Sequence, residues 1–292
     1  MGLAGDGHVH SEWSWDVGLG DPHSDAAGLM DSMCRRAAQI GLPALAFTEH
    51  LDVTGWLIEA EDLPDLPDRL RRLISDDGVL TPPVLDAEGY LDNVERCRGE
   101  FPELRILTGV EYGQPHLDEA HARQVIDLDA LDRVNGSLHT IPVTDEPGAA
   151  RSEPSTLYRR WPADQVVRTT LAEVPRMLAG SSEFTVFCHI EYAVRYWPKD
   201  REGPFDPKRF EGEFRQAMRA IAGSGRVLEL NVGGPIRPWI AQWWAEEGGR
   251  AVTFGSDAHT TDWLAGNFYE AMAMAEHFGF RPGRRPEDFW NR

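Results

Sequence analysis

The stretch Gly7-His8-Val9-His10-Ser11, answered near the other terminus by Ser256-Asp257-Ala258-His259, decides how this chain folds. In an extended strand, residues two apart point to one side, so His8 and His10 can bring two imidazoles to a single point. Imidazole is a common ligand for zinc, iron and manganese. Two histidines on a surface strand would give the same pattern, so its meaning depends on its context.

Outward from that strand end one unit recurs: a short run of β-forming residues closing on a polar or ionisable residue, followed by a helical pattern. The runs are Ala44–His50, Arg105–Glu111, Arg133–His139, Phe184–His189, Arg226–Asn231 and Ala251–Asp257, with His259 two residues further on. Between them, apolar residues at Ala27, Met30, Met33, Ala37 and Ile40 predict a helix over 25–40, stopped by Gly41. Further helices are expected over 86–101, 119–128, 162–179, 210–222, 240–246 and 266–278, the last closing the chain, with Pro175 kinking or breaking the helix over 162–179. Pro64, Pro67, Pro82 and Pro83 punctuate residues 53–85, a surface excursion that is either a lid or a solvated loop.

Seven strands alternating with helices imply a parallel sheet. Ionisable residues gathered at the carboxyl ends of those strands point to a closed, TIM-like (β/α)7 barrel, because in such a barrel these ends converge on one mouth. A chain of 292 residues, 41% of them hydrophobic, can bury one large core, and we read residues 1–292 as a single domain. A net charge of -19 argues against long nucleic acid as a partner. Cys34, Cys97 and Cys188 show neither disulfide nor zinc spacing. The sequence carries no leader-like segment and no run of the roughly 18 apolar residues a membrane span needs. A cytoplasmic protein is expected, its oligomeric state open.

Of the ten histidines, His8, His10, His50, His139, His189 and His259 fall at strand ends, joined there by Glu111 and Asp257. His23, His116, His121 and His277 lie elsewhere and are assigned surface or supporting places. So many donors exceed the three or four a single ion takes, so two or three divalent transition metal ions (Zn, Mn or Fe) are expected as cofactors. Such a centre suits hydrolysis, and its positive charge suits a phosphate ester.

The chain resembles the PHP (polymerase and histidinol phosphatase) superfamily, and within it the histidinol-phosphate phosphatases. The resemblance is carried by His8-x-His10 with Ser11, Ser14 and Asp16, by Thr48-Glu49-His50, Gly109-Val-Glu111, Gly136-Ser137-x-His139, His189, Glu229-Leu-Asn231 and Gly255-Ser-Asp-Ala-His259. It implies a distorted seven-stranded barrel with a trinuclear centre. One ion would be held by His8, His10, Glu111 and Asp257, a second by Glu111, His139 and His189, and a third by Asp16, His50 and His259. Glu111 would bridge the first two, the nucleophile would be a metal-bridging hydroxide, and Glu111, Asp257 and His259 take the catalytic roles. Arg195 and Arg237 are the candidate phosphate-binding arginines, an ordinary surface arginine being the alternative for Arg237.

The substrate implied is a small phosphorylated metabolite, with L-histidinol phosphate leading. The other readings are a phosphodiesterase acting on small nucleotides and a non-catalytic metal-binding domain. Around the ligands, Glu191 shares the side of His189 and is expected to support it, whereas alternation turns Glu49 away from His50 and weakens its case. Cys188 is expected in the core, Trp13 and Trp15 at the mouth, and Trp239, Trp243 and Trp244 in helix packing.

Overall fold

The computed structural model describes residues 2–17 and 29–292. His23 and the first residues of the helix expected over 25–40 lie outside them. The main sheet contains β1 (Asp6–Val9), β2 (Ala44–Asp52), β3 (Arg105–Gly113), β4 (Arg133–Ser137), β5 (Val186–Phe187), β6 (Val227–Asn231), β7 (Ala251–Gly255) and β8 (Trp290–Asn291), paired in that order. The first seven run parallel to one another.

Helices α1 (Leu29–Ile40), α2 (Ala87–Glu100), α3 (Glu119–Val125), α4 (Ala163–Gly180), α5 (Glu211–Gly223), α6 (Pro238–Glu246) and α7 (Phe268–His277) fall where the apolar periodicity expects them. Helix α4 runs from Ala163 to Gly180 with Pro175 inside it, so of the kink or break expected there the break does not occur. Its buried residues Val166, Val167, Thr170, Leu171, Val174 and Met177 hold the helix to the core on both sides of the proline.

The sheet curls until its ends meet. A parallel bridge joins Val9 to Ala258, Asp257 N donates to His8 O (2.8 Å) and His10 N donates to Ala258 O (3.0 Å). The contact forms at the carboxyl ends of β1 and β7. At the start of β7 the neighbour is β8, an antiparallel pair the sequence reading omitted, with Ala251 opposite Asn291 and Val252 opposite Trp290. The chain therefore closes on a strand rather than on its last helix. Buried Asp6 secures the seam by accepting from Ser256 N (2.9 Å) and Ala265 N (3.2 Å). Across the floor Arg133 reaches Thr253 Oγ1 (2.8 Å), and it passes so close to Gly7 that a side chain there would overlap its guanidinium.

Strands β2 and β3 pair over nine residues, from Ala44 with Arg105 to Asp52 with Gly113, which sets His50 beside Glu111. Every residue of β2 is buried, as befits a strand inside a parallel sheet covered on both faces. The 53–85 excursion has an antiparallel pair, Trp56–Leu57 with Val79–Leu80, and an apolar cluster of Trp56, Ile58 and Leu80. A second pair, Ile141–Pro142 with Arg151–Ser152, follows β4. Ser152 Oγ donates to Leu57 O (3.1 Å), Arg159 pairs with Asp62 and Arg160 with Glu61 (2.9 Å), fastening the two insertions together.

Tyr90 of α2 pins β2 to β3: its fully buried hydroxyl accepts from Gly109 N (2.8 Å) and lies 2.9 Å from Phe47 O and 3.0 Å from Gly109 O. Tyr90→Phe strands buried polar groups and should cost roughly 1–3 kcal/mol in urea unfolding; a change below about 0.5 kcal/mol would show that the hydroxyl does not hold the strands.

Candidate metal centre

Each ionisable residue at a strand end arrives at one mouth. His8 Nε2 lies 3.1 Å from His10 Nε2, 3.2 Å from Glu111 Oε2 and 3.6 Å from Asp257 Oδ1. His10 Nε2 lies 3.4 Å from that glutamate oxygen and 3.3 Å from that aspartate oxygen. Donors held tetrahedrally around one ion at about 2.0–2.1 Å stand roughly 3.4 Å apart, so these four side chains fit a divalent transition ion. On the other oxygen of Glu111, His189 Nε2 approaches to 2.6 Å and His139 Nε2 to 3.0 Å, a second group of three donors. Asp16 Oδ2 meets His50 Nε2 (3.2 Å) and His259 Nε2 (3.1 Å). His10, His50 and His259 also bring ring nitrogens within 4.8 Å of one another.

Buried atoms without hydrogen-bond partners include Glu111 Oε2, Asp16 Oδ1 and His50 Nδ1, the condition expected of groups that a cation would satisfy. The charges agree. Burial raises the Glu111 pKa, but His8, His139 and His50 hold it well below the usual carboxylate range. Burial likewise disfavours a charged Asp257, and Arg195 and His8 reverse it. Burial opposes protonation of His50, yet Asp16 and Glu111 outweigh it and push its pKa up to about 9.

The supporting residues are those the sequence left in the background. Glu229 Oε2 lies 2.6 Å from His8 Nδ1 and so turns Nε2 toward the centre. It passes Gly255, where a Cβ would come within 2.7 Å of its carboxylate. Glu49, contrary to expectation, supports a ligand: it accepts from Ser11 Oγ (2.5 Å) and Ser14 Oγ (2.6 Å), and Ser14 Oγ lies 2.9 Å from His10 Nδ1. Alternation correctly turns Glu49 from His50, but toward the loop after β1 rather than toward solvent. Asp52 lies 3.4 Å from His139 Nδ1 and accepts from Trp15 Nε1 (2.9 Å). Gln114 Oε1 accepts from His139 N (2.7 Å). Glu191 is buried but makes no described bond to His189, correcting its expected role; its Oε2 and His189 Nδ1 both lack partners.

His189 and Asp257 have φ of 25° and 55°, left-handed values that non-glycine residues adopt at a cost of about 1–3 kcal/mol. Both are donors at the mouth. Arg195 Nη1 donates to Asp257 Oδ2 (2.7 Å) and lines the cavity over the centre, about 210 Å³, with Trp15 and Trp56. Arg237 is not in that wall. It lines a neighbouring cavity of about 930 Å³, also bordered by Arg195 and Trp239, and donates to Pro235 O (3.2 Å). Trp13 packs beside Gly89, away from the cavity lining, while Trp243 and Trp244 are buried with α6. Cys188 is buried as expected, and lies against His8 and Glu229. His116 pairs with Glu173 (3.1 Å) away from the mouth.

The PHP domain family profile matches residues 6–233. The chain belongs to the PHP domain family. Its relatives include the probable histidinol-phosphatase of Clostridium acetobutylicum, 25% identical over 207 residues that cover 68% of this chain and 76% of that protein. The probable histidinol-phosphatase of Thermotoga maritima is 25% identical over 126 residues, covering 41% and 51%. Among solved structures, the histidinol phosphate phosphatase of Lactococcus lactis subsp. lactis, complexed with zinc, L-histidinol and phosphate, superposes with a TM-score of 0.74 at 20% identity over 99% of both chains. The putative histidinol phosphatase of Listeria monocytogenes gives a TM-score of 0.65 at 16% identity, covering 91% of this chain and 99% of that one. These two likenesses establish the TIM-like PHP fold. Among the described residues no helix is long and apolar enough to cross a membrane.

A protonated His50 must lose its proton to ligate a metal, so adding zinc or manganese to the metal-free PHP domain should release protons, with affinity falling as the pH drops below about 9. Uptake with no proton release near neutral pH would contradict the protonation argued above. Glu229→Gln should weaken metal binding roughly 10–100-fold by freeing His8; an unchanged titration would remove Glu229 from that role.

Proposed function

We propose that this PHP domain protein is a metal-dependent phosphatase whose substrate is L-histidinol phosphate, cleaved to L-histidinol and phosphate. The observation that carries the reading is the four-donor set of His8, His10, Glu111 and Asp257, with Arg195 bound to the outer oxygen of Asp257. Family membership and the histidinol-phosphatase relatives support phosphate-ester hydrolysis. The Lactococcus lactis structure, which holds zinc, L-histidinol and phosphate, favours the particular ester.

The proposed ligands are His8, His10, Glu111 and Asp257 for one ion, Glu111, His139 and His189 for a second, and Asp16, His50 and His259 for a third. Two or three zinc, manganese or iron ions would suit these imidazole and carboxylate donors. Bound ions would supply Lewis acidity toward a phosphoryl oxygen and lower the pKa of a water beside it.

The chain's own groups do the rest. Arg195, anchored by Asp257, offers the remaining donors of its planar guanidinium to the phosphate oxygens. Glu111 keeps its charge, so it remains a ligand rather than a proton donor. Trp15, Trp56 and Tyr192 wall the cavity and narrow the access of bulk water. Arg237 lines the neighbouring cavity, which Arg195, Asp257 and His259 also border, rather than the cavity over the centre, and is assigned to the outer part of the binding region.

Phosphate release should be measured on metal-loaded protein with L-histidinol phosphate, AMP and a bis-aryl phosphodiester. Preference for the first supports the proposal, preference for the diester would make the protein a phosphodiesterase, and no turnover of any would favour a binding-only domain. Asp257→Asn should lower kcat/KM by roughly 100-fold or more while unfolding like the wild type, since asparagine tolerates the left-handed backbone. An active variant would overturn the assignment of Asp257.

A further inference from the structure

The two insertions that wall the mouth carry no motif, yet they bring one unexplained acid to it. Glu153 follows the Ile141–Pro142 and Arg151–Ser152 hairpin and precedes the short helix Pro154–Leu157, and it lines the cavity over the centre. Its one side-chain hydrogen bond among the described residues comes from Ser155 Oγ (3.0 Å). It belongs to none of the groups of side chains close enough to share an ion.

Neighbouring arginines are committed elsewhere: Arg151 to Glu173 (2.9 Å) and Thr140 O (2.7 Å), Arg159 to Asp62, and Arg160 to Glu59 and Glu61. The arginine that does line the cavity, Arg195, is paired with Asp257. Four aromatic rings complete the wall, Trp15 with Trp56 at 5.8 Å between centroids and Tyr192 with Tyr196 at 5.4 Å. A carboxylate without its cation, set among aromatic faces, is the chemistry that recognises an organic ammonium group.

We infer that Glu153 is a specificity-determining residue that binds a cationic group on the alcohol half of the substrate. The class selected is then phosphate monoesters of amino alcohols rather than of neutral alcohols. The phosphate end of this inference rests on the phosphatase reading above; the cation end does not. Charge balance follows, since Arg195 meets the anionic end and Glu153 the cationic end within one small cavity.

The test is calorimetric titration of the metal-loaded 292-residue chain with L-histidinol and with its deamino analogue 3-(imidazol-4-yl)propan-1-ol, near pH 7.5, where the shared imidazole is largely neutral. Wild type should bind the amine at least about tenfold more tightly than the analogue, and Glu153→Gln should remove that preference. No preference in the wild type, or a preference that survives Glu153→Gln, overturns the inference. Kinetics on the two corresponding phosphate esters keep the readings apart. A Glu153-dependent amine preference without turnover supports the inference and sinks the phosphatase reading. Turnover with equal losses on both esters in Glu153→Gln overturns the inference, because a general catalytic or structural role would act on both alike.

Discussion

The carboxylate of Glu111 is the interaction on which the rest depends. It is 1% exposed, and its two oxygens face five imidazoles: His8, His10 and His50 on one side, His139 and His189 on the other. Ser137 donates to it at 2.5 Å. A buried carboxylate is costly unless it is paired, and a buried imidazolium is equally so. Each therefore requires the other or a metal ion, and removing Glu111 would leave His8, His50 and His139 without the carboxylate they share.

That arrangement constrains the backbone around it. Strand β3 presents Glu111 because it pairs with β2 over nine residues, and β2 presents His50 from the same register. The donors from β1 and from the end of β7 meet it only because the barrel seam closes at Val9 and Ala258. Asp6 holds that seam from below, and Gly255 leaves room for Glu229 to reach His8. The left-handed backbone at His189 and Asp257 shows where this geometry costs conformational energy, and both are donors at the mouth.

Much of this was legible because parallel strands write their chemistry at their ends. An apolar run such as Ala44-Leu-Ala-Phe closing on Thr-Glu-His50 states both the strand and the direction of the mouth. What could not be read is what lies across the chain. Glu49 reaches His10 through Ser14, a link between residues 35 apart that no local period encodes. Asp52 was within reach, since it stands two residues beyond His50 on the same face of β2. The closing pair Trp290–Asn291 and the Ile141–Pro142 pair are two residues long, too short to show alternation. Pro175 does not break α4, because buried residues on both sides of it hold the helix to the core. Glu153 had no signal of its own, because its meaning comes from the rings around it.

The most direct test of the account is anomalous diffraction from crystals of the metal-loaded protein, collected at the absorption edge of the added ion. The account predicts peaks on both sides of Glu111, one among His8, His10 and Asp257 and another beside His139 and His189. A single peak remote from Glu111, or none at full metal loading, would contradict it.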